Sequence, residues 1–250
     1  MYKYWQNIIM AKKKNKKVLV TGASKGIGKS IAKLLSNEGY EVYICARTES
    51  VLKDTAQEIN AAGYFVCDLC QNESCKSIME EGFDILVNNA GDYVYSPVEK
   101  TTDDDIRRLI KLNTEVPYRL IKYAVPYMKE KKWGRIVNIG SISGIVGEAN
   151  ASLYSMTKSA FTGLTKALAL ELAMDNITVN TINPGWVETE LAENAVSAGD
   201  FSYEEELDMI PQRRFICPDE IANLVKYIVS DDAKGMTGQS ISLCAGLSAG

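Results

Sequence analysis

Short apolar runs alternate with helical patterns along the chain from Lys17 to its end. Runs of this length, bounded by turn residues, are typical of buried strands. They predict strands at residues 18–21, 41–46, 64–69, 84–90, 135–140, 178–182 and 240–244. Between the first two strands, Ile27, Ile31 and Leu34 recur at helical spacing, and Gly39 marks the end of that helix.

Two further helices have clear signals. Thr102 precedes three aspartates, and a capping hydroxyl followed by acids is typical of a helix start. A long helix is predicted from about residue 152 to 174. This alternation predicts an α/β fold, a doubly wound parallel sheet with helices on both faces. No repeat or linker divides the pattern, so we expect one domain at 16–250 after an N-terminal extension, 1–15.

The composition removes several kinds of chemistry. None of the 250 residues is a histidine, which excludes Ser-His-Asp and Cys-His catalysis as well as His-based zinc sites. Proton transfer must therefore use Tyr, Lys, Cys, Asp or Glu. The net charge of −4 lacks the basic surplus of nucleic-acid-binding proteins, so we expect no nucleic-acid partner.

The six cysteines indicate reduced thiols rather than a metal or redox centre. Cys67-x-x-Cys70 resembles half of a zinc motif, but no second pair follows it. Reduced thiols are typical of the cytoplasm, and no apolar run is long enough to cross a membrane. The first ten residues lack the apolar core of a signal peptide, and the lysines between Lys12 and Lys17 predict a solvated arm. We therefore expect a cytoplasmic protein with no metal and no membrane partner.

A glycine loop follows the first predicted strand. Thr21-Gly-x3-Gly-x-Gly28 lies between a strand and a helix, where glycines let the backbone approach a pyrophosphate at the helix N-terminus. The same residues, ending in Lys29-Ser30, also fit a P-loop variant that starts at Ala23 instead of glycine. Phosphate binding is indicated on either interpretation, and this loop alone leaves both a dinucleotide and a nucleoside triphosphate open.

The end of the second strand favours a dinucleotide. NAD-binding folds usually carry an acid there for the ribose hydroxyls, whereas this chain has Cys45-Ala-Arg47. Arg47 and Lys25 together could form a cationic pocket for a 2′-phosphate. A P-loop protein has no need of this pair, and the alternative is that Arg47 is simply a solvated side chain at a loop start.

Tyr-x3-Lys, a pair that shares one helix face, occurs three times: Tyr118/Lys122, Tyr127/Lys131 and Tyr154/Lys158. Only the last follows a Gly/Ser-rich segment after a strand, Gly140 to Gly144, and open α/β sheets bind ligands beyond their strand ends. An ammonium beside a phenol lowers its pKa, which predicts Tyr154 as a general acid–base. Ser141 or Ser143 could donate a hydrogen bond to a substrate oxygen.

These features together resemble the short-chain dehydrogenase/reductase family over about residues 16–246. The glycine loop is followed, in the family's order and spacing, by Asn88-Asn-Ala-Gly91, Asn113, Ser141, Tyr154-x3-Lys158 and Pro184-Gly185. The combination disfavours the P-loop interpretation. The resemblance implies a Rossmann-type sheet of about seven strands and an NADP(H)-dependent oxidoreductase.

The resemblance also implies roles for single residues. Tyr154 is the acid in carbonyl reduction and the base in alcohol oxidation, and Lys158 binds the nicotinamide ribose and lowers the pKa of Tyr154. Ser141 positions the substrate oxygen and is preferred to Ser143 because it precedes Tyr154 by the family's thirteen residues. Asn113 interrupts its helix and holds a water of a proton relay. The implied cofactor-binding residues are Gly22, Ser24, Lys25, Gly26, Ile27, Gly28, Arg47, Asp68, Leu69, Asn89, Ala90, Gly91, Tyr154, Lys158, Pro184, Gly185, Val187 and Thr189.

Among relatives, the chain resembles 3-oxoacyl-acyl-carrier-protein reductases most, which implies a fatty-acid-type substrate carried on acyl carrier protein or coenzyme A and a homotetramer. An acidic carrier protein could bind at Lys129, Lys131 and Lys132. Asp175, however, stands where some of these reductases have a basic residue, which weakens the carrier-protein assignment. The segment from 191 to 214, with Phe201, Tyr203 and a run of acids, is expected to close over the substrate. A steroid, sugar or other small alcohol or ketone as substrate, and an idle NADP-binding sensor, are the alternatives.

Overall fold

The computed structural model describes residues 16–190 and 202–249. Seven parallel strands form one sheet in the order β3-β2-β1-β4-β5-β6-β7. The order reverses between β1 and β4, and in such sheets a crevice forms there beyond the carboxyl ends of the strands. The predicted α/β class and Rossmann-type sheet are confirmed.

The strands lie close to the predicted runs. Their bounds are β1 Lys17–Thr21, β2 Glu41–Ala46, β3 Gly63–Val66, β4 Ile85–Asn88, β5 Gly134–Ile139, β6 Ile177–Pro184 and β7 Ser240–Leu243. β3 and β4 end earlier than predicted because the chain leaves the sheet at residues 67–69 and 89–91 to line the crevice.

Helices connect the strands across both faces. Among the described residues their bounds are α1 Gly26–Asn37, α2 Glu49–Glu58, α3 Asn72–Met79, α4 Asp103–Ile110, α5 Val116–Lys131, α6 Ser143–Val146, α7 Ser152–Leu172, α8 Tyr203–Met209 and α9 Pro218–Val229. Thr102 caps α4 as predicted, since its Oγ1 accepts a hydrogen bond from the Asp105 backbone N–H at 3.1 Å.

Alternate residues of the strands supply two separate cores. Val18 and Val20 of β1 pack with α1, α2 and α9, whereas Leu19 faces α3, α5 and the end of α7. All residues of β5 and β6 are buried, because helices cover these strands on both sides. The rigid sheet therefore fixes the positions of the loops at its carboxyl edge.

Within residues 16–190 and 202–249, no helix is both long and apolar enough to cross a membrane. The same stretches of chain contain no group of three or more cysteine or acidic side chains that could hold a metal ion.

Candidate active site

A cleft of about 780 Å³ lies across the carboxyl ends of β1 and β4, where the strand order reverses. A second cavity of about 440 Å³, called here the inner pocket, adjoins it. Both are lined by Tyr93, Gly140 and Tyr154. The two spaces therefore meet at Tyr154.

The glycine loop is held open at one side of the cleft. Gly22 and Gly26 have φ values of +63° and +55°, a left-handed backbone that favours glycine. Asn89 donates from Nδ2 to the Gly22 carbonyl at 3.1 Å, and Thr21 Oγ1 accepts from the backbone N–H of Ala90 at 2.9 Å. The loop thus leads into the N-terminus of α1 with its backbone facing the cleft, an arrangement that fits a pyrophosphate.

Most of the residues predicted to bind a cofactor line one of the two cavities. Those on the cleft are Gly22, Ser24, Lys25, Gly26, Ile27, Arg47, Asp68, Leu69, Asn89, Ala90, Gly91, Tyr154, Lys158 and Thr189. Gly185 and Val187 line the inner pocket.

Two predicted cofactor residues line neither cavity. A Cβ on Gly28 would lie 2.5 Å from Asn89 Nδ2 and 2.6 Å from the Gly22 oxygen, so this glycine serves close packing behind the loop. Pro184 is buried at the end of β6, where its carbonyl accepts from the Ile142 backbone N–H at 2.8 Å. For these two residues direct cofactor contact stays a prediction.

Cations outnumber acids around the cleft. Among the described residues, its lining has six cations, namely Lys25, Arg47, Arg107, Arg108, Lys111 and Lys158, and four acids, namely Asp68, Asp92, Asp104 and Glu190. Arg47 is exposed at the rim, and Lys25 forms a 2.7 Å ion pair with Glu190. Both partners of that pair are more than half exposed, so solvent screens it and an anionic ligand could displace Glu190.

Three of the four predicted catalytic side chains converge where the cavities meet. Lys158 Nζ lies 5.6 Å from the centre of the Tyr154 ring and donates to the Ile139 carbonyl at 2.9 Å. Ser141, at the end of β5, lines the inner pocket together with Tyr154. Tyr118 and Tyr127, on α5, line neither cavity, in agreement with the choice of Tyr154.

The structure corrects the predicted effect of Lys158 on the pKa of Tyr154. Burial raises the pKa of Tyr154 to about 12, against an opposing effect of the Ser141 hydrogen bond and a further rise caused by the Glu148 carboxylate. Burial also lowers the pKa of Lys158 to about 8. The lysine ammonium is itself desolvated here, and so the predicted lowering of the tyrosine pKa is wrong for this structure.

Asn113 lies behind the cleft rather than on it. It sits in a π-helical turn, Lys111–Glu115, so the implied interruption of the helix is confirmed. Its amide grips the backbone of Asp92, with Oδ1 accepting from N–H at 2.9 Å and Nδ2 donating to the carbonyl at 2.8 Å. A Cβ on Gly91 would lie 3.3 Å from Asn113 Oδ1 and 3.4 Å from Lys158 Nζ, so both side chains border the space beside Gly91.

The inner pocket is apolar apart from hydroxyls and two carboxylates. Its apolar lining among the described residues includes Ile27, Ile142, Val146, Ala149, Trp186, Val187, Met209 and Leu247. Glu148 and Glu206 are its charged residues, and among the described residues no lysine or arginine lines it. Glu206 accepts from Trp186 Nε1 at 2.7 Å, and burial raises the pKa of its carboxyl.

Several residues of the inner pocket were not predicted from the sequence. Tyr93 follows the Asn88-Asn-Ala-Gly91 motif and Trp186 follows Pro184-Gly185, so the strand-end positions were an available signal. Glu148 lies within a loop and carried none. Of the predicted lid, Tyr203 and the acids form α8, whereas residues 191–201, with Phe201, lie outside the described residues.

The basic surface predicted to meet a carrier protein is partly neutralised. Lys132 Nζ lies 2.5 Å from an Asp175 carboxylate oxygen, and Lys129 Nζ lies 3.7 Å from the other. Asp175 therefore not only stands where some of these reductases have a basic residue but also neutralises the charge of two of the three neighbouring lysines.

Comparisons with known proteins agree with this geometry. The family model described as "Enoyl-(Acyl carrier protein) reductase" matches residues 22–248. The uncharacterized oxidoreductase YxjF of Bacillus subtilis is 36% identical over 250 residues, which cover 92% of this chain and 97% of YxjF. The 3-oxoacyl-acyl-carrier-protein reductase FabG of Buchnera aphidicola is 35% identical over 239 residues, 93% of this chain and 97% of FabG.

A solved structure of similar shape is an actinorhodin polyketide ketoreductase variant with NADPH. It superposes with a TM-score of 0.88 at 33% identity and covers 94% of this chain and 98% of its own.

Proposed function

Because this chain is an oxidoreductase that belongs to the short-chain dehydrogenase/reductase family, we propose that it uses NADP(H) to reduce a ketone to a secondary alcohol, with a 3-oxoacyl thioester as the substrate. The observation that carries the proposal is the meeting of Tyr154, Ser141 and Lys158 where the cleft joins the inner pocket. By family resemblance we also propose a homotetramer in the cytoplasm.

The cleft fits NADP(H). The open glycine loop suits a pyrophosphate, and Arg47 and Lys25 at the rim suit the 2′-phosphate, since the end of β2 offers no acid to a ribose hydroxyl. Asp68 and Leu69 border the adenine end, and Lys158 is placed to bind the nicotinamide ribose. The bound nicotinamide supplies the hydride.

Tyr154 supplies the proton. Its raised pKa keeps the phenol protonated at neutral pH, which is the form that a ketone reductase needs. Ser141 donates a hydrogen bond to the carbonyl oxygen and stabilises the negative charge that develops there. Asn113 holds the backbone after Gly91 and, with Lys158, borders the space of the proposed relay water.

The inner pocket supports a neutral substrate. Its wall is mostly apolar, and its two carboxylates have no cation beside them among the described lining residues. A carboxylate- or phosphate-bearing group placed there would meet like charges in a poorly solvated site. A 3-oxoacyl thioester is neutral at its reacting end and fits this constraint.

A second candidate is reduction of a free ketone that no carrier protein delivers. Asp175 favours it, because its ion pairs with Lys129 and Lys132 weaken the basic surface that an acidic carrier would need.

One assay tests both candidates. NADPH oxidation is followed with acetoacetyl thioesters of acyl carrier protein and coenzyme A, an enoyl thioester, a steroid ketone and a keto-sugar. Turnover of the acetoacetyl thioesters is expected, and failure on them with turnover of a free ketone would favour the second candidate.

The cofactor assignment is tested on the same assay. The wild type is expected to prefer NADPH to NADH in kcat/KM, and Arg47→Ala is expected to lower kcat/KM for NADPH by about 10- to 100-fold while leaving NADH nearly unchanged. A preference of the wild type for NADH would contradict the roles of Arg47 and Lys25.

A further inference from the structure

Glu148 is joined by short hydrogen bonds to two hydroxyls on the wall of the inner pocket. Its Oε1 accepts from Tyr93 Oη at 2.5 Å, and its Oε2 accepts from Ser143 Oγ at 2.6 Å. The side chain is half-buried, and no described lysine or arginine is ion-paired with it. Each carboxylate oxygen thus holds the proton of one hydroxyl.

The Ser143 hydroxyl connects Glu148 to Ser141. Ser143 Oγ lies 3.1 Å from Ser141 Oγ, and Ser141 Oγ also accepts from the Ser143 backbone N–H at 3.1 Å. A hydroxyl has one proton to give, and Glu148 takes that of Ser143. Ser143 can therefore only accept from Ser141, and the chain of donors runs from Ser141 through Ser143 to Glu148. A ketone that accepts from Ser141 takes this proton over from Ser143, while the Ser143 backbone N–H still donates to Ser141 Oγ and holds that oxygen in place.

The Tyr93 side chain connects Glu148 to Tyr154. The Tyr93 ring packs edge-on against the Tyr154 ring, with 4.9 Å between the centres. Glu148 holds the Tyr93 hydroxyl and so fixes the wall against which the Tyr154 ring is oriented. It also places a negative charge in the pocket into which Tyr154 faces.

We propose that Glu148 is a positioning residue for ketone reduction, which orients Ser141 through Ser143 and Tyr154 through Tyr93. The inference rests on the proposed function, since it takes Tyr154 as the proton donor and Ser141 as the group that binds the substrate oxygen. Glu148 itself need not touch the reacting atoms.

The charge of Glu148 has a definite effect on the pH dependence. The charged groups around Tyr154 are Lys158 on its own helix, Glu148 after β5, Asp92 after β4 and Glu206 on α8. Of the acids, Glu148 is the one that raises the pKa of Tyr154. Reduction requires the phenol and oxidation the phenolate, so removing this charge moves the alkaline limb of the reduction profile and the acid limb of the oxidation profile to lower pH.

The test measures kcat and KM against pH for ketone reduction and for oxidation of the corresponding alcohol. Glu148→Gln is expected to move the alkaline limb of reduction and the acid limb of oxidation down by about 0.5–1 pH unit, the size expected of one charge in a half-solvated pocket. It is also expected to lower kcat for reduction about 3- to 10-fold with little change in KM, because a glutamine amide accepts at one atom only and one hydroxyl must turn away.

Three further variants separate the charge from the hydrogen bonds. Ser143→Ala keeps the charge and breaks the link to Ser141, so it is expected to lower kcat without moving the pH profiles. Glu171→Gln removes the same charge at the far end of α7, about 25 Å along the helix from Tyr154, and is expected to change neither. Glu148→Asp restores the charge and is expected to return the limbs to the wild-type pH.

The outcomes are distinct. Glu148→Gln limbs that coincide with those of an active wild type would overturn the positioning role alone, as would an equal shift in Glu171→Gln. A wild type that reduces no ketone would overturn the proposed function and this inference with it. Thermal unfolding checks that the variants fold, and Glu148→Ala carries the same expectation if the glutamine variant does not.

Discussion

Burial determines which form Tyr154 and Lys158 take in this site. The tyrosine is desolvated against Tyr93 and the end of β5, and the lysine is buried beneath it with its ammonium on the Ile139 carbonyl. Burial disfavours the charged form of either group, so the phenol stays protonated and the ammonium loses protons near pH 8. The site in this structure therefore holds a proton on Tyr154 ready to donate.

Tyr154→Phe tests the proton donor directly. It removes the hydroxyl alone, so kcat for ketone reduction should fall about 10²- to 10⁴-fold while the Kd for NADPH changes by less than about threefold. Stopped-flow turnover and fluorescence titration measure the two quantities. Tyr118→Phe is the matched control, since it alters an exposed tyrosine of the same Tyr-x3-Lys pattern and should leave both unchanged. A Tyr154→Phe enzyme with near-normal turnover would exclude this tyrosine as the donor.

Lys158 should lower the stability of the cofactor-free protein. Its folded-state pKa of about 8 lies below the ordinary 10.5, so between these values the folded protein binds fewer protons than the unfolded chain. The cost of burial is thus complete below about pH 8 and is relieved as the pH rises towards 10.5. Lys158→Met should therefore raise the free energy of unfolding at pH 7 by about 1–3 kcal/mol while abolishing activity.

Urea unfolding of the wild type and Lys158→Met at several pH values measures this difference, which should shrink above pH 8. Lys166→Met, at an exposed site on the same helix, should stay within about 0.5 kcal/mol of the wild type at every pH. A difference that grows with pH would reverse the assigned sign.

At the scale of elements, the sequence pattern predicted what depends on local periodicity. The alternation of apolar runs located all seven strands and the long helix α7, because a doubly wound sheet buries its central strands on both faces. The motif order located the cleft residues, except that Gly28 and Pro184 serve packing. Contacts between distant loops have no local signal, so the contacts of Glu148 with Tyr93 and of Asp175 with Lys132 emerged only from the three-dimensional arrangement.

The π-helical turn at Lys111–Glu115 is an element whose role can be measured. It places Asn113 so that one amide satisfies both the N–H and the carbonyl of Asp92, next to the cleft. Asn113→Asp keeps the size and the acceptor but turns an oxygen towards the Asp92 carbonyl. It should destabilise the protein by about 1–3 kcal/mol and lower kcat.

Chemical denaturation and turnover of Asn113→Asp and Asn113→Ala check this. Thr114→Ser, at the next residue of the turn, is a mild control that should change stability by less than about 1 kcal/mol. An Asn113→Asp variant as stable as the wild type would show that the Asp92 backbone does not depend on this amide.

At the scale of the molecule, charge is divided between the two cavities. The cleft carries six cations against four acids in a chain whose net charge is −4, whereas the inner pocket carries only acids among its described lining residues. Under the proposed function, the polyanionic cofactor and the neutral substrate are therefore directed to opposite sides of Tyr154. The surplus over the cleft should also make NADPH binding weaken with rising salt.

Alkylation of the cysteines at the far end of the cleft can be used to test whether the cofactor occupies the whole cleft. Cys67 and Cys70 line the cleft beside Asp68, and a hydrogen bond from the buried Cys45 lowers the pKa of Cys67. Thiolates react with alkylating reagents, so Cys67 should react readily in the free protein. Saturating NADPH should slow its alkylation at least tenfold, because the adenosine half of the cofactor would cover it.

Mass spectrometry of the peptides after timed alkylation measures each cysteine separately. Cys217 is an internal control, since it is exposed at the start of α9 and lines neither cavity, so its rate should not change. The Arg47→Ala protein should need a higher NADPH concentration for the same protection of Cys67. Equal alkylation of Cys67 with and without NADPH would mean that the cofactor does not extend to this end of the sheet, and the proposed 2′-phosphate site at Arg47 would fail with it.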